Sequence, residues 1–357
     1  MTQPRTALIM AGGTGGHIFP GLAVAQALHE QGWQVHWLGG LAPSMEYQYV
    51  PPQGFAYHAV NFSGVRGKGL KTLALLPLKL LRACWQSWRI LRQVQPSVVV
   101  GLGGYITFPA GLMALLCGKT LFLHEQNSIA GMANKWLGKF AKRVFTAFPN
   151  VLPKAEWIGN PLRQGFVAQD PPAQRFSNRE GALRLVVVGG SLGAQALNTV
   201  VPQALRLIPP AQRPHVLHQS GAKQMDALRE AYAQAGVEAE LTPFIDDTAQ
   251  AFAQADVVIA RAGASTVTEL AAVGVAAIYV PFPHAVDDHQ TTNAKFVVDA
   301  QGGWLIPQPE LKAQELADRL QFLTRRTLLS YAEKAYALRQ VDATQKIVQA
   351  CEQECQA

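Results

Sequence analysis

The sequence predicts an α/β chain built from two doubly wound parallel-sheet domains. Three observations carry that expectation. Short apolar runs alternate with helical segments, glycine-rich turns close several of the runs, and the pattern restarts after a polar, Pro-containing break at residues 164–182. A length of 357 residues gives room for two separate cores. With 49% hydrophobic and 15% charged residues, the composition is that of a folded globular chain.

The elements follow in order. The apolar run Thr6 to Met10 reads as a buried strand, and Ile18 to Gln31 as a helix. Between them Ala11-Gly12-Gly13-Thr14-Gly15-Gly16-His17 packs four glycines into one turn, so backbone N–H groups meet an anion at a helix N-terminus. A nicotinamide-binding fingerprint, Gly-x-Gly-x-x-Gly counted from Gly13, needs glycine where Ile18 stands. Gln34–Leu38 and Phe55–Val60 read as strands, and Leu70–Val94 as a helix broken at Pro77. Ser97–Gly101 is a buried strand closed by Leu102-Gly103-Gly104-Tyr105, and strands follow at Leu121–His124 and Arg143–Thr146.

Residues 164–182 read as a linker. Beyond it come a strand at Leu185–Val188, the turn Gly189-Gly190-Ser191-Leu192-Gly193 and a helix at Ala194–Leu207. Further strands are expected at Val216–Gln219, Glu240–Thr242, Val257–Ala260 and Ala276–Val280. Residues 309–353 read as helical, able to pack back across either domain. Two such halves imply two domains facing across a cleft, with ligands beyond the carboxyl ends of the strands.

Charge is unevenly placed. Residues 1–163 hold 15 Lys/Arg against 4 Asp/Glu, and the remainder holds 16 against 20. The basic half is expected to meet an anionic surface. No nucleic-acid module is present, so nucleic acid is not the expected partner. The four cysteines show neither zinc spacing nor a Cys-x-x-Cys motif and read as reduced structural thiols. The first residues carry too short an apolar run for a signal peptide. The nearly uncharged stretch Tyr105–Gly118 falls short of a spanning helix.

Chemistry concentrates in the second half. Arg261-Ala262-Gly263-Ala264-Ser265-Thr266-Val267-Thr268-Glu269 follows a strand, with small residues at a helix start and a carboxylate one turn in, suited to a ribose diol or simply to the helix dipole. Asp287-Asp288-His289-Gln290-x-x-Asn293 forms a polar loop suited to sugar hydroxyls. Metal binding by Asp287, Asp288 and His289 is the rival reading, weakened because consecutive residues seldom converge on one ion.

Read in order, Gly12-Gly13-Thr14-Gly15-Gly16-His17-x-x-Pro20, Gly101-x-Gly103-Gly104-Tyr105, His124-Glu125-Gln126-Asn127, Gly159-Asn160-Pro161-x-Arg163, Gly189-Gly190-Ser191-x-Gly193-Ala194 and Asp288-x-Gln290-x-x-Asn293 resemble one family over nearly the whole length. It is the MurG-type glycosyltransferase family, which adds N-acetylglucosamine to the undecaprenyl-pyrophosphoryl-muramyl-pentapeptide precursor of peptidoglycan. The resemblance implies a GT-B fold and inverting transfer from UDP-N-acetylglucosamine to the C4 hydroxyl of the lipid-linked acceptor. It also implies peripheral attachment to the cytoplasmic face of the inner membrane, cell-wall synthesis proteins as partners, and neither metal nor resident cofactor.

Carried over by position, Thr14, Gly15, Gly16, Asn127, Arg163, Ser191, Ile245, Ala264, Ser265, Thr266, Val267, Thr268, Glu269 and Gln290 match the family's donor-binding pattern. Ser191 and the amides after it would hold the diphosphate with Arg163 as a charged partner, Ile245 would offer backbone groups to the uracil edge, Glu269 would hold the ribose and Gln290 the sugar hydroxyls. His289 stands where some relatives carry a second glutamine. His17 is the candidate general base, since a helix N-terminus disfavours imidazolium; its competing role is as a donor to the acceptor pyrophosphate. The expected division puts acceptor and membrane on residues 1–163 and the UDP-sugar on 164–340, with 341–357 a helix packing back on the first domain. Basic residues Lys68, Lys71, Lys79, Arg82, Arg89 and Arg92 interleave with leucines and with Trp85 and Trp88, a pattern suited to an anionic bilayer surface, which Lys135, Trp136, Lys139, Lys142 and Arg143 would extend. The alternatives are a UDP-sugar epimerase, a transferase to another lipid, or a catalytically silent nucleotide-sugar or lipid binder.

Overall fold

The computed structural model describes residues 5–64, 74–190 and 193–356, the side chain of Val286 excepted. They form two units, Met1–Arg163 with Val341–Ala357, and Gln164–Gln340.

In unit 1 the strands are β1 (Thr6–Met10), β2 (Gln34–Gly40), β3 (Ala56–Val60), β4 (Val98–Gly101), β5 (Thr120–Glu125), β6 (Arg143–Thr146) and β7 (Glu156–Trp157). They lie in the order β3-β2-β1-β4-β5-β6-β7, and every pairing is parallel. In unit 2, β8 (Arg184–Val188), β9 (His215–Gln219), β10 (Glu240–Thr242), β11 (Val257–Ala260), β12 (Ala276–Tyr279) and β13 (Gly303–Leu305) lie in the order β10-β9-β8-β11-β12-β13, again all parallel. Each sheet therefore reverses direction beside its first strand, between β1 and β4 and between β8 and β11. Chains diverge there and leave a crevice at the carboxyl ends.

Alternation along the strands gives unit 1 a core on each face of its sheet. Ala7 and Ile9 pack with Ile18, Val24 and Leu28 of the helix Gly15–Glu30, whereas Leu8 and Met10 pack with Ala83, Ile90 and Leu91 of the helix Leu76–Val94. The C-terminal helix Ala343–Gln356 belongs to the first of these cores through Ala343, Ile347, Val348, Ala350 and Cys351. It is also pinned at its polar edge, where Glu354 accepts from Thr120 Oγ1 at 2.8 Å and from Lys142 Nζ at 2.7 Å. That helix brings acid to the basic half, leaving 16 Lys/Arg against 7 Asp/Glu in unit 1 and 15 against 17 in unit 2.

Residues 164–182 are not a slack linker. Short helices form at Gln164–Val167 and Pro172–Phe176, and two arginines tie the segment to unit 2. Arg175 donates to the carbonyls of Ala253, Val273 and Gly274, and Arg179 to those of Ala253 and Ala255 and to the buried carboxylate of Asp256 at 2.7 Å. These carbonyls end the helices Thr248–Gln254 and Ala264–Val273, whose unpaired C-terminal acceptors and negative dipole ends attract a guanidinium. Pro and polar composition signalled a loop, while the long-range arginine contacts that fix it left no local trace. Likewise Pro77 opens the helix Leu76–Val94, in the first turn where no intrahelical N–H is lost, instead of breaking it. Lys68, Leu70, Lys71 and Leu73 lie outside the described residues.

Candidate functional site

In unit 1 the carboxyl ends of β1 and β4 are level, with Met10 opposite Gly101 and the Leu102 N–H donating to the Met10 carbonyl at 2.8 Å. Two glycine turns leave from that point and touch. Gly104 has φ +87°, and a Cβ there would overlap the Gly12 carbonyl, so only glycine fits. Beneath them lies a carboxylate absent from the sequence reading, Glu46, which is fully buried in the short helix Met45–Tyr49. It accepts from Gly13 N–H at 3.1 Å, from Gly40 N–H at 3.0 Å and from the Tyr105 hydroxyl at 2.8 Å. Burial and the neighbouring carboxylate push the Tyr105 phenol far above its ordinary range, so it stays a donor.

This clamp decides which amides face outward. Gly13 N–H is committed to Glu46, while His17 and Ile18 N–H close on the Thr14 carbonyl at 3.0 and 3.1 Å. The N–H groups of Thr14, Gly15 and Gly16 have no such partner among the described residues, and they begin the helix Gly15–Glu30. Three free donors at a positive dipole end are suited to an anion. His17 lies on its rim, with Nδ1 3.2 Å from Thr14 Oγ1. Its ring edge packs on Gly103 (φ +90°), where a Cβ would stand 2.6 Å from Cδ2 and 3.0 Å from Nε2. The Arg163 guanidinium sits 5.5 Å over the ring of Phe19 in the same helix.

The end of β5 lies in the same unit and adds buried polar groups. His124 is fully buried, and burial pulls its imidazole down to about 4, so the ring is neutral. Its Nε2 lies 2.8 Å from the Gly159 carbonyl, which only accepts, so Nε2 carries the proton and Nδ1 accepts from Gln126 Nε2 at 3.1 Å. Glu125 is a second buried carboxylate, taking Asn127 N–H at 3.0 Å, Gly131 N–H at 3.0 Å and Asn134 Nδ2 at 2.8 Å. Asn127 is thereby held at the loop's start.

Unit 2 has its own crevice, between β8 and β11. Gly190 has φ +83° with open space above it, whereas Gly193 (φ +76°) lies against the Ser220 carbonyl so closely that a Cβ would overlap it. Ser191, the predicted diphosphate contact, lies outside the described residues. Neutral groups hold this turn. Asn198 Nδ2 donates to the Ser220 carbonyl at 3.1 Å, and Asn198 Oδ1 meets His218 Nε2 at 3.1 Å, with the Tyr232 hydroxyl 2.9 Å from Nδ1. Burial pulls His218 down to about 3.

Around the crevice, Ile245 is buried, its carbonyl taking the Thr248 hydroxyl at 3.2 Å and its N–H having no backbone partner among the described residues. The helix Ala264–Val273 starts after Gly263. Ala264 and Val267 turn into the core and offer only backbone, and the Thr268 hydroxyl bonds back to the carbonyls of Ala264 and Ser265 at 3.0 Å. Ser265 Oγ is buried without a partner, Thr266 and Glu269 are half-buried, and Gln290 Oε1 takes Phe282 N–H at 2.9 Å, leaving its amide hydrogens for a ligand. Gln290 follows Asp287 and Asp288, consecutive non-glycine residues at φ +53° and +50°, a strained pair of the kind that collects at functional loops. Among the described residues no three His, Cys, Asp or Glu side chains converge as a metal site.

Glu46 is a positioning residue that sequence reasoning missed, and Arg261, named there only as the head of its stretch, is a second whose role it did not assign. Arg261 donates to the carbonyls of Val280 and Pro281 at 3.1 and 3.0 Å and to Gln308, fixing the exit of β12 that carries the Gln290 loop. Glu46 had one signal, as one of only four acids in residues 1–163.

Comparison with known proteins gives two family models in tandem. The glycosyltransferase family 28 N-terminal domain matches residues 7–146, and the glycosyltransferase family 28 C-terminal domain matches residues 184–349. A protein of Albidiferax ferrireducens is 66% identical over 352 residues, covering 98% of this chain and 91% of that one. A protein of Paracidovorax citrulli is 65% identical over 353 residues, covering 99% of each. Both bear the name UDP-N-acetylglucosamine--N-acetylmuramyl-(pentapeptide) pyrophosphoryl-undecaprenol N-acetylglucosamine transferase. Among solved structures, Acinetobacter baumannii MurG superposes with a TM-score of 0.85 at 38% identity, covering 98% of this chain and all of that one. The glycosyltransferase of kitacinnamycin, at 15% identity and TM-score 0.72, shares the fold.

The two buried neutral histidines make stability pH-dependent. Unfolded, each takes up a proton near pH 6.5; folded, His124 resists until about 4 and His218 until about 3. Their contribution is complete above pH 6.5 and is lost as pH falls, by about 2 kcal/mol each at pH 5. Urea unfolding at pH 7 and pH 5 is expected to show this loss, and His124→Asn to flatten the dependence of unit 1.

Proposed function

Because the chain belongs to glycosyltransferase family 28, within its MurG-type branch and with the GT-B fold, we propose that it moves N-acetylglucosamine from UDP-N-acetylglucosamine to the muramyl C4 hydroxyl of undecaprenyl-pyrophosphoryl-muramyl-pentapeptide. The observation that carries this is 63–66% identity, across nearly the full chain, to seven proteins that share that transferase name.

The geometry of each unit supports a division of labour. Unit 2 takes the donor: the turn Gly189–Gly193 with Ser191 for the diphosphate, Ile245 for the uracil edge, the helix start Ala264–Glu269 for ribose and phosphate, Gln290 for the sugar. Unit 1 takes the acceptor, with the free amides of Thr14, Gly15 and Gly16 on its pyrophosphate. In the tautomer whose Nδ1–H donates to Thr14 Oγ1, His17 keeps Nε2 as proton acceptor. Nε2 removes the hydroxyl proton as that oxygen attacks the anomeric carbon. The bond to the β-phosphate oxygen breaks with its electron pair, leaving UDP, and the configuration inverts. Backbone amides and helix dipoles meet the charge that develops on the leaving group.

The helix Leu76–Val94 supports a membrane-facing role for unit 1. Ala83, Ser87, Ile90 and Leu91 are buried, yet the opposite stripe of Leu78, Leu81 and Trp85 is 65%, 67% and 54% exposed. Lys79, Arg82 and Arg89 flank that stripe, with Arg89 stacked 5.0 Å over Trp85. Met132, Trp136 and Phe140 add a second exposed apolar cluster beside Lys135 and Lys139. A helix apolar on two faces needs a second partner, and basic flanks suit anionic lipid headgroups. No helix among the described residues is long and apolar enough to cross a membrane.

Labelled-sugar transfer tests the catalytic assignment. His17→Ala is expected to lower kcat by about 10³-fold with UDP affinity unchanged; turnover within tenfold of the parent removes His17 as base. Lys79→Gln with Arg82→Gln is expected to weaken binding to anionic liposomes about 30-fold, at about 1 kcal/mol per charge. Unchanged partitioning removes the membrane assignment.

A further inference from the structure

Met132, Trp136 and Phe140 recur at every fourth position along and just past the short helix Met132–Leu137, and so share one face. They are 68%, 41% and 58% exposed, whereas Asn134 and Leu137 of the same helix are buried. Trp136 joins two further rings, Phe108 edge-on at 5.6 Å and Phe140 tilted at 5.2 Å. Rings set at 66° and 52° to one another present edges and clefts instead of one flat face.

This row is built onto the loops assigned to the acceptor. Glu125, the carboxylate that takes Asn127 N–H at 3.0 Å, also takes Gly131 N–H at 3.0 Å and Asn134 Nδ2 at 2.8 Å, which fastens the Trp136 helix to the end of β5. Phe108 is the second residue of the helix Thr107–Leu116, whose Thr107 hydroxyl donates to the Gly103 carbonyl at 2.8 Å. The two segments that carry the rings therefore grow out of the Gly103–Gly104 turn and the Asn127 loop. The stripe on Leu76–Val94 differs in kind. There Trp85 and Trp88 each lie under an arginine, at 5.0 and 5.3 Å, an arrangement that suits charged headgroups. Among the described residues Trp136 has ring neighbours and no cation stacked on it, so it offers hydrocarbon surface.

We propose that the Phe108–Trp136–Phe140 row binds the first isoprene units of the acceptor's polyprenyl chain, a neutral, methyl-branched hydrocarbon. This rests on the acceptor reading of unit 1, in which the acceptor is a pyrophosphoryl-undecaprenol. The chain is bonded to the pyrophosphate, so on leaving the phosphate-binding turn it either crosses water or follows apolar surface. The ring row is the exposed apolar surface that the acceptor loops themselves carry. Chain and rings leave water together when they meet. Through Glu125 the chain is held on the same segment that orients Asn127.

Acceptors with one muramyl-pentapeptide head and either two or four isoprene units, both below their micelle concentration and with no bilayer present, test this on the full chain. The parent is expected to use the four-unit acceptor with kcat/KM about tenfold higher, since the added units bring more hydrocarbon to bury. Trp136→Ala is expected to bring that ratio to about one, and Trp136→Phe, which keeps a ring, to retain most of it. The ratio is internal to each protein, so a general loss of folding does not move it. Equal use of the two acceptors by the parent, or the parent's ratio kept in Trp136→Ala, overturns the assignment and leaves the transferase reading intact. A kept ratio with weakened binding to anionic liposomes gives the row to the bilayer instead. Failure of the parent to transfer to these acceptors and to the undecaprenyl one overturns the transferase reading and this one with it.

Discussion

The unit 1 site hangs on one buried carboxylate. Glu46 receives two backbone amides and a phenol from three separate segments, and so ties the glycine turns after β1 and β4 to one another and to the end of β2. Burying an ionised carboxylate carries a desolvation cost of several kcal/mol. Three bonds to a charged acceptor, each worth about 1.5–3 kcal/mol, offset it. The result is directional. By binding Gly13 N–H from below, Glu46 leaves the Thr14, Gly15 and Gly16 amides as the donors that face a ligand.

Unit 2 builds the same topology on neutral supports. Its turn leans on the Ser220 carbonyl, Asn198 and an uncharged His218, all of them neutral groups. A nucleoside diphosphate brings two or more negative charges close to the backbone. A buried carboxylate under the turn opposes such a ligand, since charge–charge terms grow as the dielectric falls, and neutral supports do not. That contrast favours unit 2 for the donor diphosphate. In unit 1 the repulsion is set against the free amides and the helix dipole.

Much of this architecture was legible in the sequence because it is local. Apolar runs such as Val98–Gly101 and Ala276–Tyr279 are buried on both faces, so they read as unbroken hydrophobic strands, and the turns after β1, β4 and β8 announce themselves as glycine. The short edge strands β7 and β13 escaped, since two or three residues of Glu156–Trp157 or Gly303–Leu305 carry no periodicity. What remained hidden was long-range. Glu46 meets Tyr105 across 59 positions, and Arg175 meets Gly274 across 99. A lone acid after a serine cap and an arginine in a polar stretch look like surface until the fold brings their partners.

The central claim is that the two glycine turns serve different phosphates, and amide hydrogen exchange with and without UDP tests it most directly. UDP is expected to protect the Gly189–Gly193 turn, Ile245 and the start of the Ala264–Val273 helix, leaving Thr14, Gly15 and Gly16 exchanging as in the free protein. Protection centred on Thr14–Gly16, with the Gly189–Gly193 turn unchanged, would contradict it.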